Sequence, residues 1–111
     1  MQVVVPSGGI DEAARFYAEV VGLERIERPG TLGGVGAWFR AGSRELHVSE
    51  YEDFGPARKA HPALLVYDLR GLVARLRQAG VDVVDDELAG YYRVYVCDPF
   101  GNRLELMEPL G

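Results

Sequence analysis

The sequence predicts an α+β fold: two tandem βαβββ modules whose strands form a curved mixed sheet with one open, cup-like face. Three observations predict it. Gly22 and Gly80 lie 58 residues apart, and each follows an amphipathic stretch and precedes a short apolar run. At that offset, read without a gap, Leu23 meets Val81, Ile26 meets Val84, Glu27 meets Asp85, Trp38 meets Val96, Leu46 meets Leu104, Val48 meets Leu106 and Glu50 meets Glu108. The strands that follow alternate between an apolar face and a face rich in His, Glu, Tyr and Arg. The modules span 1–50 and 61–108, and 51–60, with Gly55 and Pro56, form the linker.

The first helix is expected over Asp11 to Val21, where Ala13, Phe16, Tyr17, Val20 and Val21 recur at helical spacing and Gly22 suits the left-handed residue past a helix end. Its twin starts after Asp68 as N-cap, carries Leu69, Leu72, Val73, Leu76 and Ala79 on one face, and stops at Gly80. Strands are expected at Glu24 to Glu27, Val35 to Arg40 and Glu45 to Glu50, and again at Asp82 to Asp86, Tyr91 to Cys97 and Arg103 to Glu108. The turns Arg40-Ala41-Gly42-Ser43 and Asp98-Pro99-Phe100-Gly101-Asn102 carry ordinary hairpin residues.

Alternation then assigns the faces. Leu104 and Leu106, and their twins Leu46 and Val48, point to the helix, so Arg103, Glu105 and Met107 share the open face, as do Glu45, His47 and Ser49. Val94 and Val96 likewise leave Tyr91, Arg93, Tyr95 and Cys97 on the open side. Trp38 reads as core against the helix, Cys97 as a small buried residue, and Asp85-Asp86-Glu87 as a solvated loop.

Composition narrows the function. The 111 residues are 48% apolar and 26% charged, which suits one folded domain. With 12 Lys and Arg against 17 Asp and Glu, a formal −5, there is no basic stripe for phosphates, so a nucleic-acid partner is not expected. No apolar run approaches the ~20 residues of a membrane span, and no basic flank with an apolar stretch opens the chain, which makes the cytoplasm the expected compartment. A single cysteine gives no intrachain disulfide and no multi-thiolate zinc site.

Three stretches resemble the vicinal oxygen chelate superfamily of glyoxalases, extradiol dioxygenases and bleomycin-resistance proteins. Ala14-Arg15-Phe16-Tyr17-Ala18-Glu19-Val20-Val21-Gly22-Leu23 is similar to the helix that closes on Phe-Tyr and Gly-Leu. His61-Pro62-Ala63-Leu64-Leu65-Val66-Tyr67-Asp68-Leu69 is similar to the strand that opens the second module. Asp98-Pro99-Phe100-Gly101-Asn102-Arg103-Leu104-Glu105-Leu106 resembles the Asp-Pro-x-Gly-Asn hairpin with its glutamate.

The resemblance implies metal ligands on the first and last strand of each module. It assigns His61 and Glu105 to module two, with Glu105 also the catalytic carboxylate, and His47 to the closing position of module one. Ser7 stands to the first helix as Asp68 to the second, 61 residues later, so the counterpart of His61 falls one residue before Met1; the expectation is that the α-amino group or water stands in, or that the start is misplaced and Met1 stands where relatives carry an apolar residue. Two imidazoles and a carboxylate suit a divalent Fe, Mn, Zn or Ni ion that polarises neighbouring substrate oxygens. Tyr91, Arg93, Tyr95, Arg103 and Met107 are then the candidate lining of the substrate cup. The implied ligand is a small oxygen-rich molecule. The alternative is a metal-independent module that sequesters a drug. A homodimer is expected, because relatives complete the cup across subunits and Tyr91, Tyr95, Met107 and Leu65 make an apolar face.

Overall fold

Alternation of apolar and polar residues decides both sheets. In a computed structural model, which describes residues 1–111, β1 (Gln2–Val5), β2 (Glu24–Ile26), β3 (Gly36–Ala41) and β4 (Arg44–Glu50) form a four-stranded sheet in the order β1-β4-β3-β2. The same order returns as β5-β8-β7-β6 from β5 (Ala63–Leu65), β6 (Val84–Asp85), β7 (Tyr91–Cys97) and β8 (Arg103–Pro109). In each sheet the opening strand runs parallel to the closing one, and every other pairing is antiparallel. The chain divides into two compact units, Met1–Pro56 and Ala57–Gly111. The α+β class and the paired βαβββ topology are those the sequence predicts. No helix is long and apolar enough to cross a membrane.

Each unit buries one helix on one face of its sheet. In unit one α1 (Ile10–Ala14) runs on into a π-helical stretch, Arg15–Val20, marked by the Val21 N–H donating to the Phe16 carbonyl at 2.9 Å. The wider turn lets two consecutive aromatics, Phe16 and Tyr17, both be buried, and Tyr17 meets Phe39 of β3 at 6.0 Å between ring centroids. In unit two α2 (Leu69–Gln78) buries Leu69, Leu72, Val73 and Leu76, and β7 and β8 bury Val94, Val96, Leu104 and Leu106. Each such side chain contributes roughly 1.5–3 kcal/mol when fully buried. Gly22 and Gly80, at φ of 93° and 80°, end the two helices in the left-handed region that the sequence reserved for them.

The gapless repeat is corrected by the strand registers. Trp38 is the partner of His47, whereas Tyr95 is the partner of Glu105, so β3 matches β7 at an offset of 57 while β4 matches β8 at 58. The second hairpin is one residue longer. Trp38 therefore corresponds to Tyr95, on the open face, and is half-buried; the core positions of β3 are Ala37 and Phe39. The expectation that Trp38 packs against the helix fails for that reason. Cys97 is exposed, at the end of β7 where the sheet no longer covers it. Asp85 belongs to β6, and Asp86 is an ion-pair partner, so the run from Asp85 to Glu87 is only partly a solvated loop.

Acidic side chains hold the local geometry. Glu108 of β8 accepts the N–H groups of Asp68 (2.9 Å) and Leu69 (3.1 Å), and its twin Glu50 accepts that of Gly8 (3.2 Å), so each closing strand caps the start of its unit's helix. Asp68, the predicted N-cap, accepts from the Gly71 N–H at 3.2 Å. In the longer hairpin the buried Asp98 accepts through Oδ1 from the N–H groups of Phe100 and Asn102, both at 2.9 Å, and through Oδ2 from the Asn102 amide at 2.8 Å. Replacing Asp98 by Ala removes three hydrogen bonds. Urea unfolding is expected to show a loss of about 2–3 kcal/mol, against a smaller loss for Glu50→Ala, whose single bond is long.

Candidate metal and substrate site

The parallel pairing of β5 with β8 builds the site in unit two. Ala63 is the register partner of Glu105, and the Glu105 N–H donates to the Pro62 carbonyl at 3.0 Å. His61, just ahead of the strand, is thereby set beside the Glu105 side chain, with Nε2 2.8 Å from Oε1. Its other nitrogen, Nδ1, lies 2.6 Å from the carbonyl oxygen of Lys59. A carbonyl can only accept, so Nδ1 carries a proton. Nε2 then meets a carboxylate oxygen, which also only accepts. The contact is favourable with a second proton on the ring or with a cation in that proton's place.

Glu105 is only 8% exposed, and its remaining valences are met. The Tyr95 hydroxyl donates to Oε1 at 3.1 Å, and Nη1 of Arg93 stands 3.6 Å from Oε2. Arg93 is held in turn by Asp86, with Nη2 2.6 Å from Oδ2, and donates to the Glu87 carbonyl at 3.2 Å. Burial opposes ionisation of Glu105, yet the hydrogen bonds from His61 and Tyr95 and the charge of Arg93 outweigh it and hold the carboxyl below its usual range. Burial and the neighbouring carboxylate push the Tyr95 phenol upward, against the opposing charges of Arg93 and Arg103, so the hydroxyl stays protonated and donating. The Arg103 guanidinium carbon stacks 4.0 Å from the Tyr95 ring centroid, and the His61 ring meets Tyr95 edge-on at 5.3 Å.

Four of the expected residues of unit two therefore gather around Glu105: His61, Tyr95, Arg93 and Arg103. Met107 is the register partner of Arg93 on the same face and is half-buried. Tyr91 lies at the far end of β7, about 13 Å along the strand from Tyr95, and lines an open cavity of about 580 Å³ with Arg70, Val73, Arg77 and, from the Glu105 cluster, Arg93 and Asp86.

His47 occupies the position in unit one that Glu105 holds in unit two, and its N–H donates to the Met1 carbonyl at 2.9 Å as that of Glu105 does to Pro62. Its ring stacks on Trp38 at 3.7 Å, nearly parallel at 5°, and Nε2 lies 2.9 Å from Oε1 of Glu45. The Met1 amino group donates to the Glu45 carbonyl at 3.0 Å. Within neither unit do three His, Cys, Asp or Glu side chains gather as a metal cluster. Glu45 could have been found from its spacing of two residues from His47 on one strand. Asp86 and the Lys59 carbonyl gave no such signal, since a loop charge and a backbone oxygen look alike everywhere in a sequence.

Residues 2–106 match the Glyoxalase/Bleomycin resistance protein/Dioxygenase superfamily. The chain belongs to that superfamily. A solved glyoxalase-family structure from Bacillus anthracis is 41% identical, with a TM-score of 0.92 over 97% of this chain and 90% of that one. A lactoylglutathione lyase from Agrobacterium tumefaciens (23% identical, TM-score 0.72, 97% of this chain and 91% of that one) shares the fold. So does TnmS3, an antibiotic-binding protein from Streptomyces sp. CB03234 (24% identical, TM-score 0.72, 97% and 93%). Superfamily members commonly use divalent metals and bind small molecules or drugs.

The donor chemistry of this superfamily chain fits a divalent cation. An imidazole whose Nδ1–H is fixed on a backbone carbonyl presents Nε2 as a ligand, which is the outer arrangement that metal-binding histidines use, and Glu105 supplies the offsetting charge. The lowered pKa of Glu105 has a sign that can be measured. Its ionised form stabilises the fold above the unfolded-state value near ~4.3, and that stabilisation is lost as pH falls through the lower folded value. Glu105→Gln is expected to differ most from the parent in urea midpoint at neutral pH, with the gap closing below about pH 4.

Proposed function

We propose that this chain is a glyoxalase/dioxygenase-like metalloprotein that binds a small oxygen-rich substrate through a divalent metal held by His61 and Glu105. The observation that carries the reading is the imidazole with Nδ1 committed to Lys59 and Nε2 aimed at a buried carboxylate 2.8 Å away. When bound, the metal supplies Lewis-acid polarisation of neighbouring substrate oxygens. The chain's own residues do the rest. Glu105, kept ionised, offsets the metal's charge and is the candidate catalytic carboxylate. Tyr95 and Arg93 fix the carboxylate's orientation, and Asp86 fixes Arg93. His47, with Glu45 beside it, is the candidate donor of unit one.

A metal-independent drug-binding module is the second reading, favoured by the hydrogen bonds with which His61 and Glu105, and His47 and Glu45, already satisfy each other. Calorimetric titration of metal-stripped protein with Mn, Fe, Ni and Zn separates the two. Binding is expected for the parent, and His61→Ala or Glu105→Gln is expected to weaken it more than the ~10–100-fold typical of an outer partner. Tyr95→Phe, an outer change, is expected to cost about tenfold. Equal affinity in the parent and in a His61→Ala, Glu105→Gln double variant selects the metal-independent module.

A further inference from the structure

The face of unit two that carries Glu105 also borders an open cavity of about 550 Å³, lined among others by Arg58, Val84, Tyr95, Cys97 and Arg103. Arg103 makes no ion pair, and its guanidinium carbon lies over the Tyr95 ring, 4.0 Å from the centroid. The cation–π contact uses the face of the guanidinium and none of its N–H donors, which can then receive a planar or tetrahedral oxyanion through paired bonds.

The carboxylates near this cavity do not compete for those donors. Both oxygens of Glu105 are met by His61, Tyr95 and Arg93. Asp86 is taken by Arg93 at 2.6 Å. Asp85, which also lines the cavity, is the register partner of Val94 and makes no ion pair with Arg103. Arg58, exposed on the same cavity, adds a second positive charge and makes no ion pair.

We propose that Arg103, stacked on Tyr95 and seconded by Arg58, binds an oxyanion group of the substrate, a carboxylate or a phosphate-type group. The proposal rests on the metal-site reading for the claim that this group and the metal-bound oxygens belong to one molecule; the anion subsite itself needs no metal. It assigns the substrate class as a small oxygen-rich acid.

The test is a titration of metal-stripped protein with inorganic phosphate and, separately, with acetate, following the Arg103 Nε–Hε and Tyr95 ring signals by NMR. Saturable shifts are expected with at least one anion; saturation by phosphate alone assigns the phosphate class, and saturation by acetate the carboxylate class. Arg103→Met is expected to weaken binding about tenfold or more, the scale of a lost charge-assisted hydrogen bond. Arg103→Lys, which keeps the charge and loses the fork, is expected to fall between, and it keeps the comparison open if the methionine variant does not fold. No saturation by either anion, or equal affinity in the parent and the lysine variant together with any folded methionine variant, overturns the proposal. The anion titration uses no metal and the metal titration no anion, so failure of the metal reading and failure of the anion subsite are seen separately.

Discussion

The register of β5 on β8 is the constraint from which the site follows. One backbone hydrogen bond, from the Glu105 N–H to the Pro62 carbonyl, decides that His61 and not a neighbour stands beside the carboxylate. That register is pinned from the opposite face. Leu104 and Leu106 are fully buried, and slipping β8 by one residue would expose them and drive Arg103, Glu105 and Met107 into the core. Losing two leucines alone costs roughly 3–6 kcal/mol, before any charge is buried. The apolar side of the strand thus positions the chemistry on its polar side.

A carboxylate as buried as Glu105 has to be compensated, and the compensation shapes the rest of the face. His61, Tyr95 and Arg93 each answer part of its charge, and Arg93 is itself answered by Asp86. The chain of pairings stops at Arg103, whose partner is an aromatic ring. In unit one the equivalent position is His47, and the compensation changes with it: a ring needs a flat neighbour and an acceptor, and Trp38 and Glu45 supply them. The two sheets share a topology while their open faces solve different electrostatic problems.

The topology, the helix-facing residues and both helix-ending glycines were legible because strand and helix periods and a left-handed stop are written into residue type. The offset was legible only on average. A single residue added to the hairpin after β7 moves β3 against β7 by one, and a period of two converts that small error into a wrong face for Trp38. Cys97 was misjudged because a strand end loses cover that alternation alone does not report. The gathering of His61, Tyr95, Arg93 and Arg103 around Glu105 was legible as a shared face. Its ordering was not, since Asp86 acts through a loop and Lys59 through its backbone.

The hairpin motif that most resembles the superfamily joins two tasks that the structure separates. Asp98 and Asn102 spend their polar atoms on one another and on the turn's N–H groups, and Asp98 is 4% exposed, so neither faces a ligand. Glu105, three residues beyond, is the part that faces the site. The spacing between them is what a tight, self-bonded turn dictates: with Asp98 closing on Asn102, β8 starts at Arg103, and alternation then places Arg103 and Glu105 together on the open face with Leu104 between them in the core. The motif's regularity therefore reflects the turn's own hydrogen bonds, and the chemistry inherits its position from them.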